Sequence, residues 1–231
     1  MRFEILALFI LAVSFNAFAQ VDDTPAIKNV EQMATPSSPR MLKGSFGFGF
    51  SNAHSLEFSD SNLVGKSGRQ YPGTSEFGIK PSYMIQVGFQ QVPVRGLGFS
   101  GFIDYESRIG VENFSESYMS QKSKGDFATK PQLSLLTFSG NGVYGLERMY
   151  IPFGINVTIA EYQTNSSSSA SAEPALGFQL GVGMYALENL AIDLTFKRRS
   201  FSLNEQFSTG GGRVFGAGNI DALHLQARVL F

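Results

Sequence analysis

The chain has 231 residues, 18 lysines and arginines against 19 carboxylates, and a formal net charge of −1. That balance gives no electrostatic basis for binding nucleic acid. The absence of cysteine excludes a disulfide scaffold, a thiol nucleophile and thiolate metal sites. Two histidines, His54 and His224, are too few and too far apart to suggest a zinc site, so no metal or cofactor is expected. Charged residues make up 16%, against about 25% in soluble domains, while hydrophobic content is ordinary at 43%.

The first 19 residues have the organisation of a secretory signal peptide. Arg2 supplies a positive start, Ile5 to Val13 is an unbroken apolar core, and Ala17-Phe18-Ala19 gives the small-x-small cleavage pattern. The apolar run is too short to span a bilayer as a helix, and no later segment approaches the length needed. Residues 20–40 are polar, contain three prolines and lack a sustained period, so they are expected to form a flexible extension.

From Gly44 onward the pattern is period-2 alternation, which marks a strand with two unlike faces. Gly44–Phe50 sets Phe46, Phe48 and Phe50 against Gly47 and Gly49. A polar stretch over 51–75 precedes a strand at about Glu76–Val92. There Phe77, Ile79, Tyr83, Ile85, Val87 and Phe89 oppose Lys80, Ser82, Gln86 and Gln90. Pro93-Val94-Arg95-Gly96 makes a tight turn into Leu97–Glu106, where Asp104 and Glu106 share the polar face.

A second polar stretch, 107–131, leads to Gln132–Tyr144. Here Leu133 and Leu135 are out of phase with Leu136, Phe138 and Tyr144, so a bulge near Leu135–Leu136 is expected. A turn at Gly145–Arg148 gives a strand through Ile151–Ile159. After the serine-rich stretch 163–175, another strand alternates Leu176, Phe178, Leu180, Val182 and Met184 with Gly177, Gln179, Gly181 and Gly183. Ala186–Asn189 turns into Leu190–Lys197, which carries Asp193 and Lys197 on one face. A glycine-rich stretch, 199–220, precedes Asp221–Phe231, whose polar face holds His224, Gln226 and Arg228.

The count is eight strands, joined alternately by three short and four long connections. Placing every long connection at one end is the habit of an outer-membrane barrel, with short periplasmic turns and long extracellular loops. The expected fold is therefore all-β, an eight-stranded antiparallel up-and-down transmembrane barrel over residues 41–231. Apolar rows would face lipid. Lys80, Asp104, Glu106, Asp193, Lys197 and Arg228 would lie in the lumen, three charges of each sign that cancel. Eight strands leave an interior just wide enough for side chains to fill, so a polar plug is expected rather than an open channel.

The alternating C-terminus ending in Phe231 and the hairpin Gly181–Phe196 resemble the small eight-stranded outer-membrane barrels: the OmpA-like transmembrane domain, OmpX and the opacity-type surface proteins. The resemblance covers about residues 41–231 and is architectural. It implies a bacterial outer-membrane location, surrounding outer-membrane lipid, and a C-terminal signal (Leu225, Ala227, Val229, Phe231) read by the outer-membrane assembly machinery. No peptidoglycan-binding domain follows strand eight, so tethering the wall is not implied. Zero tryptophan departs from the family's interfacial girdles, leaving Phe and Tyr to fill them.

Chemical motifs are sparse. Gly140-Asn141-Gly142-Val143-Tyr144-Gly145 fits G-x-G-x-x-G, but a turn and another strand follow where a dinucleotide site needs a helix. His224 has Ala222 and Gln226 as same-face neighbours, not a serine, and His54 lies near Ser51, Ser55 and Asp60. Asp104 and Glu106 could pair as acid and base, but partnership with Lys80, Lys197 or Arg228 is the plainer account. No catalytic residue is assigned. The expected role is structural or surface-interacting, through long loops facing an unidentified extracellular ligand. The alternatives are a small pore for polar solutes, a lipid-modifying enzyme and a soluble exported β-sandwich.

Overall fold

The computed structural model describes residues 42–64, 70–118, 121–126, 131–165, 168–209 and 212–231. The expected signal peptide, with Ala17 and Ala19, and the extension over 20–40 lie outside the described residues.

Nearly everything described is strand. The elements are β1 (Lys43–Val64), β2 (Gln70–Ile79), β3 (Ser82–Gln91), β4 (Arg95–Tyr118), β5 (Gln121–Asp126), β6 (Gln132–Leu146), β7 (Met149–Asn165), β8 (Ser168–Ser171), β9 (Glu173–Leu187), β10 (Leu190–Thr209) and β11 (Gly212–Leu230). β2 and β3 both pair with β1 and β4 and form one stave interrupted at Lys80-Pro81. β5 continues the line of β6 along β4, and β8 continues the line of β9 along β7. The staves form an antiparallel ring in the order β1, β3, β4, β6, β7, β9, β10, β11.

Closure joins the first strand to the last. β1 and β11 pair from Ser45↔Leu230 to Ser59↔Ala217, and Gly44 and Phe231 exchange backbone hydrogen bonds of 2.8 and 3.0 Å. At this level each strand has a neighbour on both sides, which is the condition for standing in hydrocarbon, where an unpaired backbone group costs several kcal/mol. The molecule is an eight-stranded up-and-down β-barrel.

Its dimensions follow from the register. A circuit through the ladder partners Lys43, Gln90, Ser100, Asn141, Gly154, Gln179, Lys197 and Ala222 returns to β1 at Ala53, ten residues beyond its start. Eight strands with that shear have a tilt of about 40° and a backbone radius of about 8 Å. Side chains alone can fill such an interior.

The stretches expected as long loops are largely strand. Each hairpin rises past the point where the strand was expected to end, and on β1, β2–β3 and β4 a bulge or interruption also shifts the inward row by one residue. On β1 the register slips between Ala53 and Leu56, so the inward row passes from Ser45, Ser51 and Ala53 to Leu56 and Phe58. Lys80-Pro81 has the same effect between β2 and β3: Ser82, Met84 and Gln86 are buried, but so are Phe77 and Ile79. On β4 a slip between Glu106 and Ile109 turns Ile109 and Val111 inward.

Three expectations are corrected by these shifts. Phe77 and Ile79 face the interior, not lipid. Lys80 is carried out of the lumen to the surface, where its Nζ lies 3.0 Å from Glu112 Oε1. The expected bulge at Leu135–Leu136 is absent: β6 keeps unbroken register with β7 from Gln132 to Leu146. The slip opposite Leu133 and Leu135 belongs to β4, and both leucines point inward at 1% exposure.

Candidate functional site

The interior is layered. At the short-turn end a small floor is formed by Val143, Tyr150, Ala191 and Leu230, with Val92 and Tyr185 packed on it. A polar and charged belt lies above. At the hairpin end an apolar cap closes the bore, built from every stave: Leu56 and Phe58 of β1, Phe77 and Ile79 of β2, Ile109 and Val111 of β4, Leu133 and Leu135 of β6, Tyr162 of β7, Phe201 of β10 and Ile220 of β11 are among its members. Phe58 stacks edge-on against both Phe77 and Phe201, with centroids 5.6 and 6.3 Å apart. Ala172, between β8 and β9, completes the circle.

The belt contains three ion pairs. Asp104 accepts from Lys197, and Glu106 accepts from Arg199; all four side chains are buried. β4 and β10 stand opposite each other in the ring, so both pairs cross the bore. Long cationic chains are suited to that reach. Gln86 Nε2 donates to Asp104 Oδ1 at 2.5 Å, and Ser82 donates to Glu106 Oε2 at 2.8 Å. Both oxygens of each carboxylate thereby accept a hydrogen bond, which offsets the cost of burying the charge.

The third pair, Asp193–Arg228, is the best connected. Arg228 Nε donates to Asp193 Oδ2 at 2.6 Å, Nη2 to Tyr150 Oη at 2.6 Å, and Nη1 to Gln90 Oε1 at 2.8 Å. Its guanidinium lies 4.6 Å from the centroid of the Phe102 ring, within cation–π range. Tyr150 also donates to Asp193 Oδ1 at 2.5 Å. The tyrosine reaches this position by lying across Gly183, where an added Cβ would meet its ring at 2.2 Å. Glycine at 183 therefore makes room for the network.

Five of the six residues singled out as lumen charges thus meet in the belt: Asp104, Glu106, Asp193, Lys197 and Arg228. The sixth, Lys80, is replaced by Arg199, and the balance of three against three is kept. Arg199 was legible in principle, since it continues the row Asp193, Thr195, Lys197 by two residues. The pattern hides it because a polar stretch begins just after Lys197. β10 runs on to Thr209.

The remaining sequence candidates for chemistry are placed as follows. The imidazole of His224 is fully buried, with Nδ1 2.9 Å from Met84 Sδ and 3.9 Å from Glu106 Oε1. Thioether sulfur only accepts, so that nitrogen is the one carrying the proton toward it. His54 falls within β1. Gly140–Gly145 runs straight along β6, with no helix after it to hold a pyrophosphate. A space of about 20 Å³, room for about one water, lies among Gln86, Gln90, Asn141, Gln179 and Arg228.

The outer face is bounded by ion pairs at both ends. Between them it is apolar: Phe48, Tyr83, Phe89 and Phe99 on one side, Ile155, Leu180, Val182, Leu194 and Leu225 on another, all exposed. Leu225, Ala227, Val229 and Phe231 lie in this outward row. At the hairpin side the band stops at Arg198–Asp221 (3.8 Å) and Lys80–Glu112, and at the turn side at Arg95–Glu147. From Leu223 to Phe231 the wall rises about 27 Å along the strand, or about 20 Å along the barrel axis at a 40° tilt.

No protein-family model matches the chain, and no curated protein sequence matches it. Solved structures do. The chain resembles small outer-membrane β-barrels. The outer membrane protein OprG from Pseudomonas aeruginosa superposes with a TM-score of 0.49 at 10% identity, over 83% of this chain and 97% of that one. Ail, the attachment invasion locus protein of Yersinia pestis in complex with the heparin analogue sucrose octasulfate, gives 0.41 at 12% identity, over 82% and 99%. Neisserial surface protein A gives 0.39 at 12%, over 81% and 97%. At these identities the likeness is one of fold.

Proposed function

We propose that this chain is a closed, non-conducting barrel of a bacterial outer membrane, whose folded hairpin end projects from the cell and serves surface interaction. The observation that carries this reading is the reversal of faces at the Arg198–Asp221 level. Below it the wall is apolar outside and polar inside, suited to lipid; above it the wall is polar outside and apolar inside, suited to water. Outward positions above that level include Glu57, Thr74, Glu76, Gln132, Gln163 and Glu173. Binding positions concentrate where such scaffolds meet solvent.

The filled belt and the apolar cap weigh against a pore for polar solutes, because a permeating solute would have to displace both. The belt carboxylates are held by cations rather than by a nucleophile, which weighs against lipid-modifying chemistry. The outward row ending in Phe231 is consistent with a strand offered to the assembly machinery.

Two measurements on the full chain test the proposal. Purified barrel in a planar lipid bilayer should give no unitary conductance, and a membrane-impermeant amine reagent applied to intact cells should label Lys124. Steady ohmic steps would favour the pore. Labelling only after lysis would place the hairpin end elsewhere.

A further inference from the structure

The projecting end carries a cleft of about 590 Å³ on the outer face of β2, β4 and β5, lined by Glu76, Gly78, Asn113, Ser115, Lys124 and Asp126, with Phe114 and Gly125. Its volume lies within the range of small-molecule sites. The ladder register explains how these residues meet. Glu76, Ser115 and Lys124 form one cross-strand row, and Gly78, Asn113 and Asp126 form the next on the same face. An added Cβ at Gly78 would meet Asn113 Oδ1 at 2.5 Å, so the glycine allows the carboxamide to lie across the neighbouring strand. The aromatic ring of Phe114 likewise lies over Gly125, whose Cβ would meet it at 2.8 Å. Phe114 in turn packs on the cap, so the ribbon is anchored to the folded core beneath it.

We infer that this cleft is a binding site for a neutral saccharide. The inference rests on the surface-interaction reading and gives it a ligand class. The lining mixes acceptor-only carboxylates (Glu76, Asp126), a carboxamide that both donates and accepts (Asn113), a hydroxyl (Ser115) and a donor-only ammonium (Lys124). Closely spaced groups of both kinds match a ligand whose every polar group is also both donor and acceptor, which describes the vicinal hydroxyls of a sugar ring. Two carboxylates against one ammonium disfavour a sulfated or phosphorylated polymer.

The test uses the full chain in lipid nanodiscs, titrated with methyl glycosides of galactose, glucose and mannose and with N-acetylglucosamine, read by amide chemical shifts. At least one should shift amides of Gly78, Asn113 and Gly125 saturably at millimolar concentration. Asn113→Ala and Asp126→Ala should each weaken that binding about tenfold, the equivalent of about 1.4 kcal/mol. Gly78→Ala, which pushes the carboxamide aside, should do the same. Heat-shifted mobility in SDS reports that each variant still folds. Absence of a saturable shift with every glycoside overturns the inference, as does binding undiminished in Asp126→Ala, or preference for dextran sulfate or spermidine. Surface labelling of Lys124 is independent of the titration, so failure of the sugar site and failure of the surface reading are told apart.

Discussion

The belt and the cap are two interiors of one barrel, solved by opposite means. In the belt, β4 and β10 send Asp104 and Glu106 across the bore to Lys197 and Arg199, because the wall outside must be apolar and polar residues are left for the inside. One turn of the ladder higher, the wall outside carries Lys80, Glu112, Arg198 and Asp221, and the inside is Leu56, Phe58, Phe77 and Phe201. The same strands serve both regions. On three staves a one-residue slip, at Ala53–Leu56, Lys80-Pro81 and Glu106–Ile109, turns the alternation over between them; on β6, β7, β10 and β11 the inward row keeps its parity and only its residue types change, as in Lys197, Arg199 and Phe201.

The largest expected effect tests the belt. Asp104→Ala leaves Lys197 charged and without its carboxylate in the bore, and should destabilise the folded barrel by about 3–5 kcal/mol. The midpoint of urea unfolding in lipid vesicles, followed by SDS mobility, measures it. The double change Asp104→Leu with Lys197→Met removes both charges at similar volume and should be close to neutral or stabilising. If the single and double variants lost the same stability, the belt would be held by packing rather than by charge pairing.

The next effect separates the two outer faces. Ile155 is exposed in the apolar band, and Ile155→Arg should cost about 2–4 kcal/mol if that residue stands near mid-bilayer. Glu57 is exposed on β1 above the slip, and Glu57→Arg should fall within about 0.5 kcal/mol, as substitutions on a watery surface do. The same urea midpoints serve. Equal costs at both positions would mean that the change of face at Arg198–Asp221 does not mark the edge of the lipid.

How much of this was readable in the sequence follows the same division. The lipid band was legible because period 2 with large apolar residues against glycine and polar ones, as in Leu176–Met184 or Leu223–Phe231, has one interpretation. The belt charges were legible for the same reason, Lys80 excepted. The cap was not. Leu56 and Phe58 stand among serines and glutamates, Ile109 and Val111 follow a polar run, and each lies beyond a slip that breaks the count. Pro81 offered a signal, since proline cannot donate to a ladder and marks an interruption. Leu133 and Leu135 are deceptive for a related reason: an apolar row facing inward contradicts the polar lumen below it, and so imitates a bulge on their own strand. A close approach such as Asn113 over Gly78 leaves no trace in spacing, which is why the cleft was out of reach.

A smaller effect sharpens the phase shift itself. Ile79 and Ile85 share parity across Lys80-Pro81, but Ile79 is 8% exposed and Ile85 41%. Ile79→Val removes one methylene from a packed core and should cost about 0.5–1.5 kcal/mol. Ile85→Val trims a side chain that faces lipid, where the hydrocarbon refills the space, and should be close to neutral. Equal effects would argue that Ile79 also faces outward and that no slip occurs.

The smallest expected effect lies at the turn end. Arg95 and Glu147 pair between two adjacent turns at the mouth of the barrel, with side chains 78% and 63% exposed. Both ends of that pair are in water, so screening and the entropy of two mobile side chains offset most of the Coulomb attraction. Arg95→Ala should therefore change stability by no more than about 1 kcal/mol, and less at high salt. Glu147 has a further role that its partner lacks: its φ of 60° places it in the left-handed region of the tight turn between β6 and β7. Glu147→Gly removes the same ion pair but relieves that backbone strain. If the pair contributes little, Glu147→Gly should be at least as stable as Arg95→Ala. The reverse order would show that even at the solvated mouth an ion pair outweighs the strain of a single residue.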